Sequence, residues 1–65
     1  MPSSVIRDFA YDAGRRRLVV RFVSGRRYAY RDVPPEVAEQ LTSAPSKGEY
    51  FNHAIRDRFR FERLR

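Results

Sequence analysis

Three short runs in the first half of the chain alternate apolar and polar side chains with a period of two, the spacing of a half-buried strand. Residues 5–11 carry Val5, Phe9 and Tyr11 on one face. Residues 17–23 alternate most regularly, with Leu18, Val20 and Phe22 on one side and Arg17, Val19 and Arg21 on the other. Residues 26–31 place Tyr28 and Tyr30 on a common side. Turn-forming stretches, Asp12-Ala13-Gly14-Arg15-Arg16 and Ser24-Gly25, separate the runs. The pattern predicts a meander of three antiparallel strands.

The period then changes. Val33-Pro34-Pro35 ends the sheet and opens a helix, because proline fits the first helical turn and no later one. Val37, Leu41 and Ala44 give that helix an apolar stripe, and Pro45 stops it. Ser46-Lys47-Gly48-Glu49 reads as a capping box: the Ser46 hydroxyl accepts from the Glu49 amide, and the Glu49 carboxylate reaches back. A second helix follows, with Tyr50, Phe51, Ala54 and Ile55 at core-facing spacing and an end near Asp57. Arg58-Phe59-Arg60-Phe61-Glu62 alternates again and suits a short C-terminal edge strand. The fold class is α+β: a three-stranded antiparallel meander followed by two helices, with that edge strand as an option, in a single domain over residues 1–65.

Turn length sets which face the arginines occupy. A three-residue loop Val23-Ser24-Gly25, with Gly25 in the left-handed region, pairs Phe22 with Arg26, Val20 with Tyr28 and Leu18 with Tyr30. Both tyrosines then join the apolar face, while Arg21 opposes Arg27 and Arg17 opposes Arg31 on the outside. A four-residue loop at residues 13–16 sets Asp12 against Arg17 and Asp8 against Arg21. Two carboxylates thus balance one column of arginines and leave Arg27 and Arg31, with Arg26 nearby, as the candidate anion site. A two-residue turn at Ser24-Gly25 would turn the strand over. Tyr28 and Tyr30 would then stand beside Arg17 and Arg21 as a base-stacking platform. The three-residue loop is preferred, since the alternative offers only Arg27, Ala29 and Arg31 to the core.

Composition narrows the function. With 65 residues, 42% of them hydrophobic, the core is a single layer of side chains between one sheet and its helices. The formal net charge is +6, carried by thirteen arginines and one lysine, and favours a polyanion such as RNA or an acidic protein surface. Lys47 and Arg56 on the second helix add to the candidate phosphate contacts of Arg26, Arg27 and Arg31. Without cysteine there is no disulfide, thiolate nucleophile or cysteine-based zinc site. No apolar run has the length of a signal peptide core or a membrane span, so the expected compartment is the cytoplasm and no membrane partner is indicated.

Enzymatic constellations are missing. His53 is the single histidine, and Glu49, His53 and Asp57 at four-residue spacing read as an exposed polar stripe rather than a metal site. Ser46 is explained as a helix cap, which removes the nucleophile from any Ser46–His53–Asp57 triad. Three scattered glycines make no phosphate loop. No catalytic residue, metal, cofactor or small-molecule substrate is expected.

The residues that shape the fold resemble the KTSC domain, named for its occurrence at the C-terminus of some lysyl-tRNA synthetases. The matching positions are Ser4-x-Ile6, Tyr11-Asp12, Leu18-x-Val20-x-Phe22, Gly25, Tyr28-x-Tyr30 and Val33-Pro34. They continue as Ser46-Lys47-Gly48-x-Tyr50-Phe51-Asn52 and Ile55-Arg56, so the resemblance runs from Ser4 to about Leu64. Phe59 stands where many relatives carry tyrosine. The resemblance implies a small bacterial protein or an appendage to a larger one, without established activity, for which RNA binding is suspected. Tyr28, Tyr30, Tyr50, Phe51 and Asn52 are its motif residues. The aromatics read equally well as core. Asn52, a short amide within a helix, reads as a structural hydrogen bond to a neighbouring loop, with ligand contact as the alternative.

Overall fold

The computed structural model describes residues 6–64. The elements run β1 (Ile6–Asp12), β2 (Arg17–Phe22), β3 (Arg27–Tyr30), α1 (Pro35–Ser43), α2 (Lys47–Ala54) and β4 (Phe61–Leu64). All neighbours are antiparallel, in the order β1-β2-β3-β4. The optional C-terminal strand therefore exists, and it makes β3 an interior strand rather than an edge. It begins later than the alternation of residues 58–62 implied. The Arg56 and Arg58 amides are committed to the carbonyls of Phe51 and Ile55, and pairing with β3 starts only at the Arg31 N–H to Arg60 O bond of 2.8 Å.

The preferred register is the observed one. Leu18 opposes Tyr30, Val20 opposes Tyr28 and Arg21 opposes Arg27, and Gly25 closes the loop at φ 94° while its N–H bonds Phe22 O at 2.9 Å. Open space surrounds the Gly25 Cα, so only the backbone conformation demands glycine there. Tyr30 is 2% exposed and Tyr28 half-buried, both on the helix-covered face. The outward stacking platform is thereby excluded.

One departure lies in β1. Strict alternation from Val5 and Phe9 turns Ile6 outward and Arg7 inward. A bulge between Ile6 and Asp8 absorbs Arg7, so that Ile6 opposes Phe22 and packs against the core. Burying an arginine costs far more than the lost ladder bond. Val5 itself lies outside the described residues.

Leu18, Val20, Val33, Leu41 and Ile55 are fully buried, and Phe51 is 3% exposed. Both helices therefore sit on the inner face of the sheet. In α1, Ala38 and Leu41 are the buried positions, with Val37 half-buried beside them. The Tyr11 hydroxyl donates to Val33 O at 2.6 Å and ties β1 to the start of the helical layer. The second helix ends at Ala54, short of Asp57, because Ile55 leaves helical geometry at φ −123° and turns into the core. No helix among the described residues is long and apolar enough to cross a membrane.

Ser46 caps α2 as expected, its Oγ accepting from Glu49 N–H at 3.3 Å, but the return bond of the capping box, from the Ser46 amide to the Glu49 carboxylate, is not formed among the described residues. Replacing Ser46 with Ala should cost ~0.5–2 kcal/mol. In a domain of this size each kcal/mol lowers the melting temperature by roughly 4–8 °C. Thermal unfolding followed by circular dichroism checks it; an unchanged midpoint would mean the cap stabilises nothing.

Candidate functional site

The outer face of the sheet carries the arginine columns, and the fourth strand changes their balance. Asp8 opposes Arg21 and accepts two bonds from its guanidinium, at 3.0 and 2.5 Å. Asp12 opposes Arg17 in the ladder, while its Oδ1 accepts the Arg15 amide at 3.3 Å. Arg31 was expected to lack a carboxylate partner; instead its Nη2 lies 2.5 Å from Glu62 Oε1. The reason is β4, which sets Glu62 opposite Ala29, diagonal to Arg31 on the same face. Arg27 is engaged as well. Arg31 is therefore compensated on the outer face, and Arg27 is not without a partner either.

Electrostatics agree with that reading. The hydrogen bond from Arg21 holds the Asp8 carboxyl below its ordinary range, and the bond from Arg31 does the same for Glu62. A carboxylate with a lowered folded pKa stabilises above its unfolded value, and that contribution fades on acidification through the folded one. Both pairs are solvent-exposed, so the contribution is small.

Lys47 also finds an internal partner, its Nζ donating to Ala44 O at 3.3 Å at the end of α1. Tyr50 packs against the core from the side of α2 that faces α1. His53 and Glu49 are exposed on α2. Asp57 lies beyond the helix end, so the four-residue stripe stops before reaching it.

The residues that remain converge on the opposite, inner side. Between the β2–β3 turn and α2 opens a cleft of about 410 Å³. Phe22, Tyr28, Tyr30 and Phe51 form its floor and walls; Val23 and Ser24 form a lip, with Val23 62% exposed. Arg26 reaches it from the turn, and Asn52 and Arg56 reach it from α2 and the residues just after it. The rings interlock edge to face, Phe22 with Tyr28 at 5.6 Å, Phe22 with Phe51 at 5.5 Å and Tyr30 with Phe51 at 5.5 Å. Such contacts rigidify the walls.

The cleft lining contains two arginines and no carboxylate. Among the described residues, neither Arg26 nor Arg56 has an ion-pair partner. Asn52 is exposed, and its amide makes no hydrogen bond among those residues, so the expected structural bond to a loop is absent. Arg26, Arg56, Tyr28, Tyr30, Phe51 and Asn52 are thus brought together, while Arg27, Arg31, Lys47 and Tyr50 lie elsewhere. Sequence reasoning missed Phe22 as a wall and Phe61 as a buttress. Phe61 opposes Tyr30 in the ladder and stacks on Tyr28 at 5.3 Å and 11°, although it is 52% exposed. The 59/61 aromatic alternation carried that signal.

Tyr30 reports on the cleft floor. Burial, then the neighbouring Tyr28, pushes its hydroxyl from 10.0 up to about 12, with Arg56 opposing and the nearby Asp57 carboxylate adding to the rise. A raised folded pKa means its contribution to stability is complete below the unfolded value near 10 and is lost as pH climbs towards 12. Ultraviolet titration should show one tyrosine ionising last and only as the fold melts; its early ionisation would contradict a buried floor.

The family comparison can now be set beside this geometry. Residues 2–59 match the model of the KTSC domain family, stopping short of β4. A lysine–tRNA ligase of Nostoc punctiforme is 48% identical over 61 residues, a match spanning 94% of this chain and 11% of the ligase. This chain thus corresponds to only a small part of such relatives. A protein of Tsukamurella paurometabola is 41% identical over 58 residues, covering 89% of this chain and 87% of its own length. The crystal structure of a KTSC domain protein from Yersinia pestis superposes with a TM-score of 0.90 at 32% identity, covering 100% of this chain and 92% of that one. The same domain therefore occurs as a small protein and as part of a tRNA ligase, and this chain belongs to the KTSC domain family.

Proposed function

We propose that this KTSC domain is a non-enzymatic module of the cytoplasm that binds RNA through its aromatic cleft. The observation that carries this is the pairing of Arg26 and Arg56, which have no ion-pair partner among the described residues, with aromatic walls in a lining without carboxylates. Guanidinium groups contact phosphates whatever the sequence, and exposed aromatic surface beside them suits unstacked bases. The net charge of +6 favours the encounter. Relatives named lysine–tRNA ligase carry the domain as a small part of their length, which agrees with an RNA partner.

The test is a titration of the labelled domain with tRNA, single-stranded RNA and duplex DNA at two salt concentrations. Single-strand affinity should fall with salt at a log–log slope of about −0.7 per phosphate contact, hence roughly −1.4 for two arginines. Absence of binding at low salt would remove the RNA reading. Recognition of an acidic protein surface by the same two arginines would then take its place.

A further inference from the structure

Asn52 has no structural task in the fold. It lies inside α2, where a short amide is a poor helix former. It is exposed, lines the cleft and makes no hydrogen bond among the described residues. Its amide therefore presents a donor and an acceptor side by side to whatever enters.

We infer that the cleft receives one unpaired adenine nucleotide, with the base edge on the Asn52 amide and the two flanking phosphates on Arg26 and Arg56; this rests on the RNA-binding reading above. An asparagine amide matches the N6 amino donor and N7 acceptor of adenine in a two-bond contact, a donor–acceptor pair that the same edge of the other bases lacks. The arginines add donors only, so their natural partner is phosphate. Arg26 belongs to the β2–β3 turn and Arg56 follows the end of α2, and both line the cleft. A single nucleotide can thus be held at its base and at its phosphates. Phe22 and Tyr28 keep partial exposure despite packing on the core, which leaves ring surface for the base. The volume of about 410 Å³ falls within the ~300–1,000 Å³ of small-ligand sites. A base inside a duplex has both faces stacked, so only an unpaired nucleotide can lay its base against Phe22 and Tyr28.

The experiment compares a short oligouridine with the same strand carrying one central adenosine, by fluorescence anisotropy at low salt. The wild type should bind the adenosine strand at least about fivefold more tightly. Asn52→Ala should bring both strands to the oligouridine affinity with an unchanged circular dichroism spectrum, and Asn52→Gln should keep part of the preference. Equal wild-type affinities, or a preference that survives Asn52→Ala, would overturn adenine recognition and leave RNA binding intact. Binding of neither strand would overturn both.

Discussion

Reversing both cleft arginines, Arg26→Glu together with Arg56→Glu, is expected to abolish binding of single-stranded RNA while leaving the melting temperature nearly unchanged. Two attractive charges become repulsive at the same opening, so every phosphate contact assigned to the cleft is lost at once. Neither side chain has an ion pair to lose among the described residues, and both are exposed. The control is Arg31→Glu, which breaks the ion pair with Glu62 on the outer face and does not touch the cleft. That variant should bind somewhat more weakly through net charge alone. A free-energy loss for Arg31→Glu half as large as that of the double variant would mean that binding follows total charge and not the cleft.

Ile55→Ala is expected to remove a large share of the domain's stability and to lower its melting temperature far more than any surface substitution. Ile55 is fully buried where α2 ends, and truncating such a residue typically removes ~2–5 kcal/mol. A domain of 65 residues has a total stability on the order of 3–10 kcal/mol at the usual value per residue, and none of it comes from disulfides. One truncation therefore removes a large share of the whole. Val23→Ala, at a position 62% exposed, should melt within a few degrees of wild type. Thermal unfolding followed by circular dichroism distinguishes them; a cooperative, near-native melt for Ile55→Ala would show that the core has more reserve than its single layer suggests.

Much of the sheet was legible because local chemistry decides it. Gly25 at a left-handed position sets the three-residue loop, and that loop alone assigns Tyr28 and Tyr30 to the helix face. Ser46 and Glu49 announce the start of α2, and Asp8 finds Arg21 through hairpin spacing. The errors that matter for the site are long-range, while the bulge in β1 and the early end of α2 are local. Glu62 reaches Arg31 only because β4 pairs with β3 across the intervening helices, so an arginine that looked uncompensated has a carboxylate partner. The bulge at Arg7 is invisible to a period-two reading, since it exists to keep an arginine out of the core. The cleft depends on how α2 lies over the β2–β3 turn. Arg26 and Arg56 each showed as exposed cations in the sequence, and only packing places them at one opening.

The footprint of RNA on the backbone amides, read by nuclear magnetic resonance, tests most directly whether the cleft rather than the outer sheet is the binding surface. Titration with an adenosine-containing single strand should shift the amides of Phe22, Arg26, Tyr28, Asn52 and Arg56, and leave those of Val19, Ala29 and Glu62 in place. Shifts confined to the outer face, or none at a protein concentration where the arginine contacts should saturate, would contradict it.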